Sequence, residues 1–254
     1  MSLQYQYRKT WQKSGLACNF VRCVSFSRDG SQLAVGGAQR LTVLAVDSDI
    51  WIIDNCAQED GQVEVAHARA LSHTIRHASL NRAGDYLVTG EGADGRVWKK
   101  REEGWREACR LPPPTTYREN HLFPVEIVSL QWYNCVQQRR LVLVTYKQHG
   151  IQIWDVTDGP NAVAFSTILD TSRTIGRSSL SLDGQTIAVT MQTRFDVHAI
   201  ESRLPTFSLD HDGNIENPII FVHGDTAILA PFRKGQLRMW KAIDGTRMQT
   251  IHHS

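Results

Sequence analysis

The stretch LSHTIRHASLNRAGDYLVTGEGADGRVWKKREEGWREACR, residues 71 to 110, is the clearest guide to the fold of this chain. Short runs rich in β-branched and aromatic residues alternate in it with turns rich in Gly and Asp. This alternation is typical of short strands joined by tight turns. The stretch therefore predicts a four-stranded meander, with strands at Ile75–Leu80, Tyr86–Gly90, Arg96–Lys99 and Trp105–Arg110.

The same order of strands and turns recurs along the chain. The turn between the first two strands of each unit falls roughly 40 to 55 residues after the previous one, near Gly30, Gly84, Val136, Gly184 and Gly224. The candidate units are 18–70, 71–110, 125–170, 173–210 and 215–254, with an insertion loop at 111–124. In the first unit the apolar run Ile50–Asp54 is predicted to be the third strand. No segment keeps a helical apolar period over several turns, so 1–254 is predicted to be a single all-β domain.

Composition restricts the class of partner. The 254 residues include 28 Lys and Arg against 26 Asp and Glu, a formal net charge of +2. Such a balance gives no strong field to attract nucleic acid or an anionic membrane. The five cysteines form no C-x-x-C pair, and the polar N-terminus does not resemble a secretory signal. We therefore expect an intracellular protein, cytoplasmic or nuclear, with no membrane association.

Several third strands end in an apolar residue followed by Trp. Ile153-Trp154-Asp155 is the clearest case, and Val97-Trp98-Lys99 and Met239-Trp240-Lys241 are looser versions. Together with VRCVSFSRDGSQLAVGG, which looks like the first two strands of such a unit, they resemble the WD-repeat β-propeller family. The resemblance implies a WD-repeat-like propeller of about five recognisable four-stranded blades, or six or more if units are hidden or missing.

The resemblance also implies a hydrogen-bonded set that pins each blade. It consists of a His before the first strand, a Ser or Thr on the second, an Asp in the turn and the Trp of the third. In the unit 71–110 these places fall to His73, Thr89, Asp94 and Trp98, and related places elsewhere fall to Trp154, Asp155 and Trp240. The set decays in other units, where Lys234 replaces Asp and His198 replaces Trp. We therefore expect the blades to be held mainly by apolar packing.

Other motifs have plainer interpretations than a ligand site. Gly90–Gly95 satisfies G-x-G-x-x-G, but another short strand follows instead of a helix, so a β-turn is favoured over a phosphate loop. Asp210–Asn214 has the oxygen-rich look of a calcium loop but lacks its closing Glu, and is interpreted as a connection. His67, His73 and His77 are interpreted as structural or surface residues, since no carboxylate or thiol completes a metal set.

Two further segments are interpreted as structural. Leu111–Thr115 contains three prolines and favours a stiff connecting loop, although it remains the best local candidate for a role beyond the fold. Basic and aromatic residues interleave in Tyr5–Trp11, which is predicted to be a solvated strand. Tyr5–Trp11 could complete the last blade, but Thr246–Ile251 already fits that blade's fourth strand. The sequence therefore leaves two alternatives, a closed ring and an open series of blades.

No catalytic residue, cofactor site or metal site is predicted, because no nucleophile motif or ligand set stands out. The resemblance implies a non-catalytic protein–protein interaction scaffold that binds a protein or peptide on a propeller face. Two alternatives remain. One is a propeller enzyme with a metal-dependent centre in the central channel. The other is a nucleic-acid-binding propeller, which the small net charge makes the less favoured of the two.

Overall fold

The structure, a computed structural model, describes three strands within 21–45 and then residues 75–252, with gaps at 103, 115–120, 134–138, 159–161, 170–172, 203 and 212. The described residues form nineteen strands in five antiparallel sheets. The prediction of an all-β fold is confirmed for the residues that the structure describes. Within these ranges the helical structure is limited to a 3-10 turn at Arg233–Gly235. None of the described segments is a helix long and apolar enough to span a membrane.

Each sheet is a meander of consecutive strands. Sheet 1 contains β1 (Val21–Phe26), β2 (Gln32–Gly37) and β3 (Arg40–Ala45). Sheet 2 contains β4 (His77–Leu80), β5 (Tyr86–Glu91), β6 (Asp94–Arg101) and β7 (Gly104–Leu111). Sheet 3 contains β8 (Ile127–Tyr133), β9 (Leu141–Tyr146), β10 (Gly150–Asp155) and β11 (Val163–Leu169).

Sheets 4 and 5 repeat this order. Sheet 4 contains β12 (Ile175–Leu180), β13 (Thr186–Met191), β14 (Arg194–Ala199) and β15 (Phe207–Asp210). Sheet 5 contains β16 (Ile220–Val222), β17 (Ala227–Phe232), β18 (Gln236–Lys241) and β19 (Arg247–His252). In every sheet the strands pair with their neighbours in sequence.

The glycine-rich turn of sheet 2 is a tight hairpin. Glu91 pairs with Asp94, and Gly92 and Ala93 form the two-residue turn between them. Gly92 has φ 54°, in the left-handed region that glycine enters without steric cost. The β-turn interpretation of Gly90–Gly95 is therefore confirmed, and no helix begins at this position to bind a phosphate.

The predicted third strand of the first unit is wrong. The third strand of sheet 1 is Arg40–Ala45, and Ile50–Asp54 lies outside the described residues. Gly37 pairs with Arg40, so the chain returns at once after β2 and the first β-branched run that follows completes the hairpin. A short connection costs less loop entropy than a longer one, which favours the nearer run. Ile50–Asp54 was predicted because it is more apolar, and composition alone does not report the entropy of loop closure.

The sheets are stacked in chain order through their first strands. β1 lies beside β4, β4 beside β8, β8 beside β12, and β12 beside β16. Apolar side chains fill the space between adjacent sheets, which we call a junction. Tyr133, Leu143 and Ile151 of sheet 3 pack with Ile175 and Val189 of sheet 4 in one such cluster. Most of the described core therefore lies between sheets.

Two glycines allow close approach at the junctions. A Cβ at Gly176 of β12 would lie 2.0 Å from the carbonyl oxygen of Ile215, which precedes sheet 5. A Cβ at Gly90 of β5 would lie 2.7 Å from Cδ1 of Leu130 in sheet 3. The clash at Gly176 is with backbone, so this position requires glycine for the sheets to pack as they do. The clash at Gly90 is with the end of a leucine side chain, which can shift at a smaller cost.

Candidate functional site

The structure brings together two of the four residues predicted to pin sheet 2. Trp98 Nε1 donates a hydrogen bond of 2.9 Å to Thr89 Oγ1, and both side chains are buried. Thr89 pairs with Arg96 across the sheet, so Trp98 is its diagonal neighbour on the same face. Asp94 does not join this pair, because its carboxylate accepts a hydrogen bond of 2.7 Å from Arg96 Nη2. His73 lies outside the described residues.

The other predicted structural residues lie in hairpins and junctions. Trp154 Nε1 donates to the hydroxyl of Tyr146 at 3.0 Å within sheet 3. Asp155 pairs with Arg139 Nη1 at 3.0 Å, which ties the two ends of the β9–β10 hairpin. Trp240 is buried edge-to-face against Phe195, with ring centroids 6.2 Å apart. Trp154 and Asp155 therefore stabilise sheet 3 from within, whereas Trp240 stabilises the junction of sheets 4 and 5.

Two positions where the predicted set decays have different surroundings. His198 is buried in β14, and burial lowers the pKa of its imidazole. Lys234 lies in the 3-10 turn, with its side chain outside the description.

Five polar side chains from three sheets gather where the first strands begin, and we call them the inner cluster: Arg76, His77, Glu126, Lys147 and Arg177. Backbone hydrogen bonds hold these strand ends together. Ile127 N donates to Gly92 O at 2.7 Å, which joins the start of β8 to a turn of sheet 2. Ile175 N donates to Lys147 O at 2.8 Å, which joins the start of β12 to a turn of sheet 3.

The inner cluster has an excess of positive charge. Glu126 lies between two cations, with Oε2 at 3.1 Å from Lys147 Nζ and Oε1 at 3.9 Å from Arg76 Nη1. Arg177 of β12 adds a third cation near His77. The three cationic side chains outnumber two carboxylates, those of Glu126 and of Glu91 at the adjoining end of β5, so the cluster favours an anionic ligand.

His77 contributes no charge to the cluster near neutral pH. Burial, together with repulsion from Arg177 and Arg76, lowers the pKa of its imidazole from 6.5 to about 4. Glu126 and a hydrogen bond to the backbone of Ile127 oppose this shift. With this imidazole neutral, the charge of the inner cluster comes from its three cations and from Glu126.

A buried hydroxyl network lies beside the inner cluster. The hydroxyl of Ser178 in β12 is hydrogen-bonded to those of Ser129 at 2.9 Å and Thr145 at 2.6 Å, both in sheet 3. Gln131 continues the link, because Nε2 donates to Ser178 O at 2.6 Å and Oε1 accepts from Leu180 N at 2.7 Å. The two first strands are thus joined through side chains, which fixes the positions of the residues around them.

The inner cluster and the hydroxyl network were both missed from the sequence. The signal was polar residues inside apolar strands, as in SLQW at 129–132. Such residues need buried partners, but the partners come from another sheet some 50 residues away, so spacing along the chain does not reveal them.

The described residues contain no group of three or more His, Cys, Asp or Glu side chains placed to hold a metal ion. Burial raises the pKa of the Cys109 thiol to about 11, so this cysteine stays protonated near neutral pH. Neither feature offers support for the metal-dependent alternative within the part of the chain that the structure describes.

The remaining motifs lie in connections or outside the description. The segment after Asp210 joins β15 to β16, and His211 Nε2 lies 2.8 Å from Asn214 O within it, which confirms the connection. Leu111 ends β7 and Pro112–Pro114 follow it. The segment Tyr5–Trp11, together with His67, lies outside the described residues.

A scan against protein-family models finds no matching family, and a search of curated proteins finds no match. The function proposed below therefore rests on the residues of this chain and on the geometry of the described sheets.

Proposed function

We propose that this chain is a WD-repeat-like β-propeller that serves as a non-catalytic platform for a protein or peptide partner. The observation that carries the proposal is the inner cluster, in which three sheets contribute charged side chains to one end of the first strands. Loops and strand ends held by rigid sheets are the usual place for binding residues.

The order of the sheets supports a propeller. Five meanders follow one another, and the first strand of each lies beside the first strand of the next. A propeller is this arrangement continued around a central channel. In that geometry the inner cluster lies at one mouth of the channel.

The outward face of sheet 5 supports closure of the ring. Phe221 and Arg238 face sheet 4, so Ile220 and Leu237 point the other way by strand alternation. These two side chains are 45% and 36% exposed. An apolar face of this kind is a surface that another sheet would cover, and sheet 1 is its counterpart at the other end of the series.

The charge of the inner cluster supports an acidic partner segment. Three cations against the carboxylates of Glu126 and the adjoining Glu91 leave a local positive excess, although the whole chain carries only +2. Local charge of this kind guides a complementary surface into register. The proposed partner is a protein or peptide whose docking segment is rich in Asp and Glu.

Charge reversal in the cluster tests the function. Fluorescently labelled acidic peptides from an array are titrated with the intact protein, with the double variant Arg76→Glu/Arg177→Glu, and with the matched control Arg82→Glu/Lys100→Glu at the opposite end of sheet 2. We expect the cluster variant to lose binding and the control to retain it. Equal loss in both variants, or no acidic peptide bound by the wild-type chain, would reject the proposal.

A single substitution tests ring closure. Ile220→Asp places a carboxylate on the outward face of sheet 5. If another sheet covers this face, the free energy of unfolding falls by about 2 kcal/mol or more. A loss below about 0.5 kcal/mol in denaturant titration would show that the face is open to solvent and that the series of sheets does not close there.

A further inference from the structure

A second charged site lies at the outer part of the junction between sheets 4 and 5. We call it the junction groove, a cleft of about 490 Å³ between β14–β15 and β17–β18. Arg194, Arg233 and Arg238 line it together with Asp210 and Phe232. The groove is separate from the inner cluster, which uses the first strands of sheets 2 to 4.

Arg238 is the central residue of the groove. Its guanidinium carbon lies 3.2 Å from the centroid of the Phe232 ring, and the side chain is only 15% exposed. Its Nε is buried and has no hydrogen-bond acceptor among the described residues. Its nearest carboxylate oxygen belongs to Asp210, at 3.6 Å from Nη1, which is too long for a hydrogen bond. A cation held this way has donor capacity left for an incoming anion.

Arg194 is also available for an additional acceptor. Its Nε donates to Asp196 Oδ1 at 2.6 Å, and Ser208 Oγ donates to the same oxygen at 2.6 Å. Asp196 is buried, so its charge is committed to this pair. The bond through Nε leaves the terminal nitrogens of Arg194 for another ligand. Arg233 is exposed beside Phe232, with its guanidinium carbon 5.9 Å from the ring centroid.

We propose that the junction groove binds a phosphate monoester. Three arginines line it, and planar guanidinium forks match the several oxygens of a phosphate dianion better than the two oxygens of a carboxylate. The groove has the volume of a small-molecule site, so it has room for the organic part of the ester as well as the phosphoryl group.

Asp210 is the group that opposes the ligand. Its side chain is 85% exposed, so it is free to move away from Arg238 when an anion arrives. Removing its charge should therefore strengthen binding, which an arginine cluster with a merely structural role would not show.

Binding of phenyl phosphate and inorganic phosphate, measured by calorimetry on the full chain, tests this site. We expect Arg238→Lys, which keeps the charge but removes the fork, to weaken phenyl phosphate binding about tenfold. Arg233→Gln at an exposed position should weaken it several-fold without unfolding the chain. Asp210→Asn should tighten binding, and Arg82→Gln at the opposite end of the sheets should leave it unchanged.

The outcomes separate the possible ligands. Binding of both phosphates, or of phenyl phosphate alone, supports the phosphoryl site, and the second result also assigns the organic part a role. Benzoate binding equal to that of phenyl phosphate, or affinities that Arg238→Lys and Asp210→Asn leave unchanged, would overturn the proposal. The inner-cluster variant Arg76→Glu/Arg177→Glu should bind phenyl phosphate as the wild type does, so failure of the proposed function and failure of this site can be distinguished.

Discussion

Sheets 3 and 5 have the same strand order but different surroundings. Every residue of β9 is buried, as is nearly all of β10, whereas β16 has no fully buried residue and β18 has two, Met239 and Trp240. Sheet 3 contributes to apolar clusters with both sheet 2 and sheet 4. Among the described residues, sheet 5 shares such a cluster with sheet 4 alone.

The two sheets have the same strand pairing, so the difference in burial comes from the sheets packed against each of them. A sheet packed on both faces becomes core, and its polar side chains are used in links such as the Ser178 network. Sheet 5, which among the described residues shares an apolar cluster with sheet 4 alone, keeps accessible charges such as Arg233 and a groove beside them.

Truncation of isoleucine should separate the two sheets most strongly. Ile151 in sheet 3 is fully buried, whereas Ile243 in the last turn of sheet 5 is 83% exposed. We expect Ile151→Ala to lower the free energy of unfolding by about 2 to 5 kcal/mol. Ile243→Ala should change it by less than about 0.5 kcal/mol. Similar losses in chemical denaturation would contradict the assignment of sheet 3 as core.

Acid should destabilise the junction of sheets 2 and 3 through His77. The folded pKa of about 4 lies below the ordinary 6.5, so the unfolded state binds a proton that the folded state excludes between these values. Stability from this group is complete above pH 6.5 and is lost as the pH falls toward 4, by up to about 3 kcal/mol. His77→Gln should therefore lose less stability than the wild type between these pH values. The same pH dependence in both proteins would exclude a buried neutral imidazole.

Loss of the Ser178 hydroxyl should have a moderate effect. Ser178→Ala removes the shared partner of Ser129 and Thr145, and we expect a cost of about 1 to 2 kcal/mol. Ser166→Ala on the exposed strand β11 is the matched control and should be close to neutral. If the two variants unfold at the same denaturant concentration, the network does not hold sheets 3 and 4 together.

Replacement of Arg238 should have the smallest effect on stability. Its side chain is largely buried and its ion-pair partner, Asp210 at 3.6 Å, is too far for a hydrogen bond, so Arg238→Met exchanges an under-satisfied cation for an apolar group of similar length. We expect the free energy of unfolding to change by less than about 1 kcal/mol, in either direction. A larger loss in thermal unfolding would mean that Arg238 stabilises sheet 5 and is not held available for a ligand.

The local structure was predictable from the sequence because its determinants are local. Turns with Gly84, Gly92 and Gly184 need positive φ, and all three have it. In sheet 2 the predicted strand Tyr86–Gly90 differs from β5 by one residue. By contrast, β11 and β15 are partly exposed outer strands with weak apolar patterns, and neither was predicted as a separate strand.

The candidate sites were not predictable in the same way. Thr89 and Trp98 lie on neighbouring strands of one sheet, so the family pattern pointed to both before their hydrogen bond was known. Glu126 and Arg177 meet His77 only because three sheets stack, and Arg238 meets Asp210 across a junction. Contacts between sheets depend on packing that periodicity along the chain does not encode.

The pairing of each strand with the next one in sequence has a consequence for synthesis. Each hairpin closes a short loop, so a sheet can form as soon as its last strand has left the ribosome. Its apolar face must then wait for the following sheet, as Leu143 and Ile151 of sheet 3 wait for Ile187 of sheet 4. In the same way Phe195 of sheet 4 waits for Ile228 of sheet 5. During translation the newest sheet is therefore the part of the nascent chain most in need of chaperone protection.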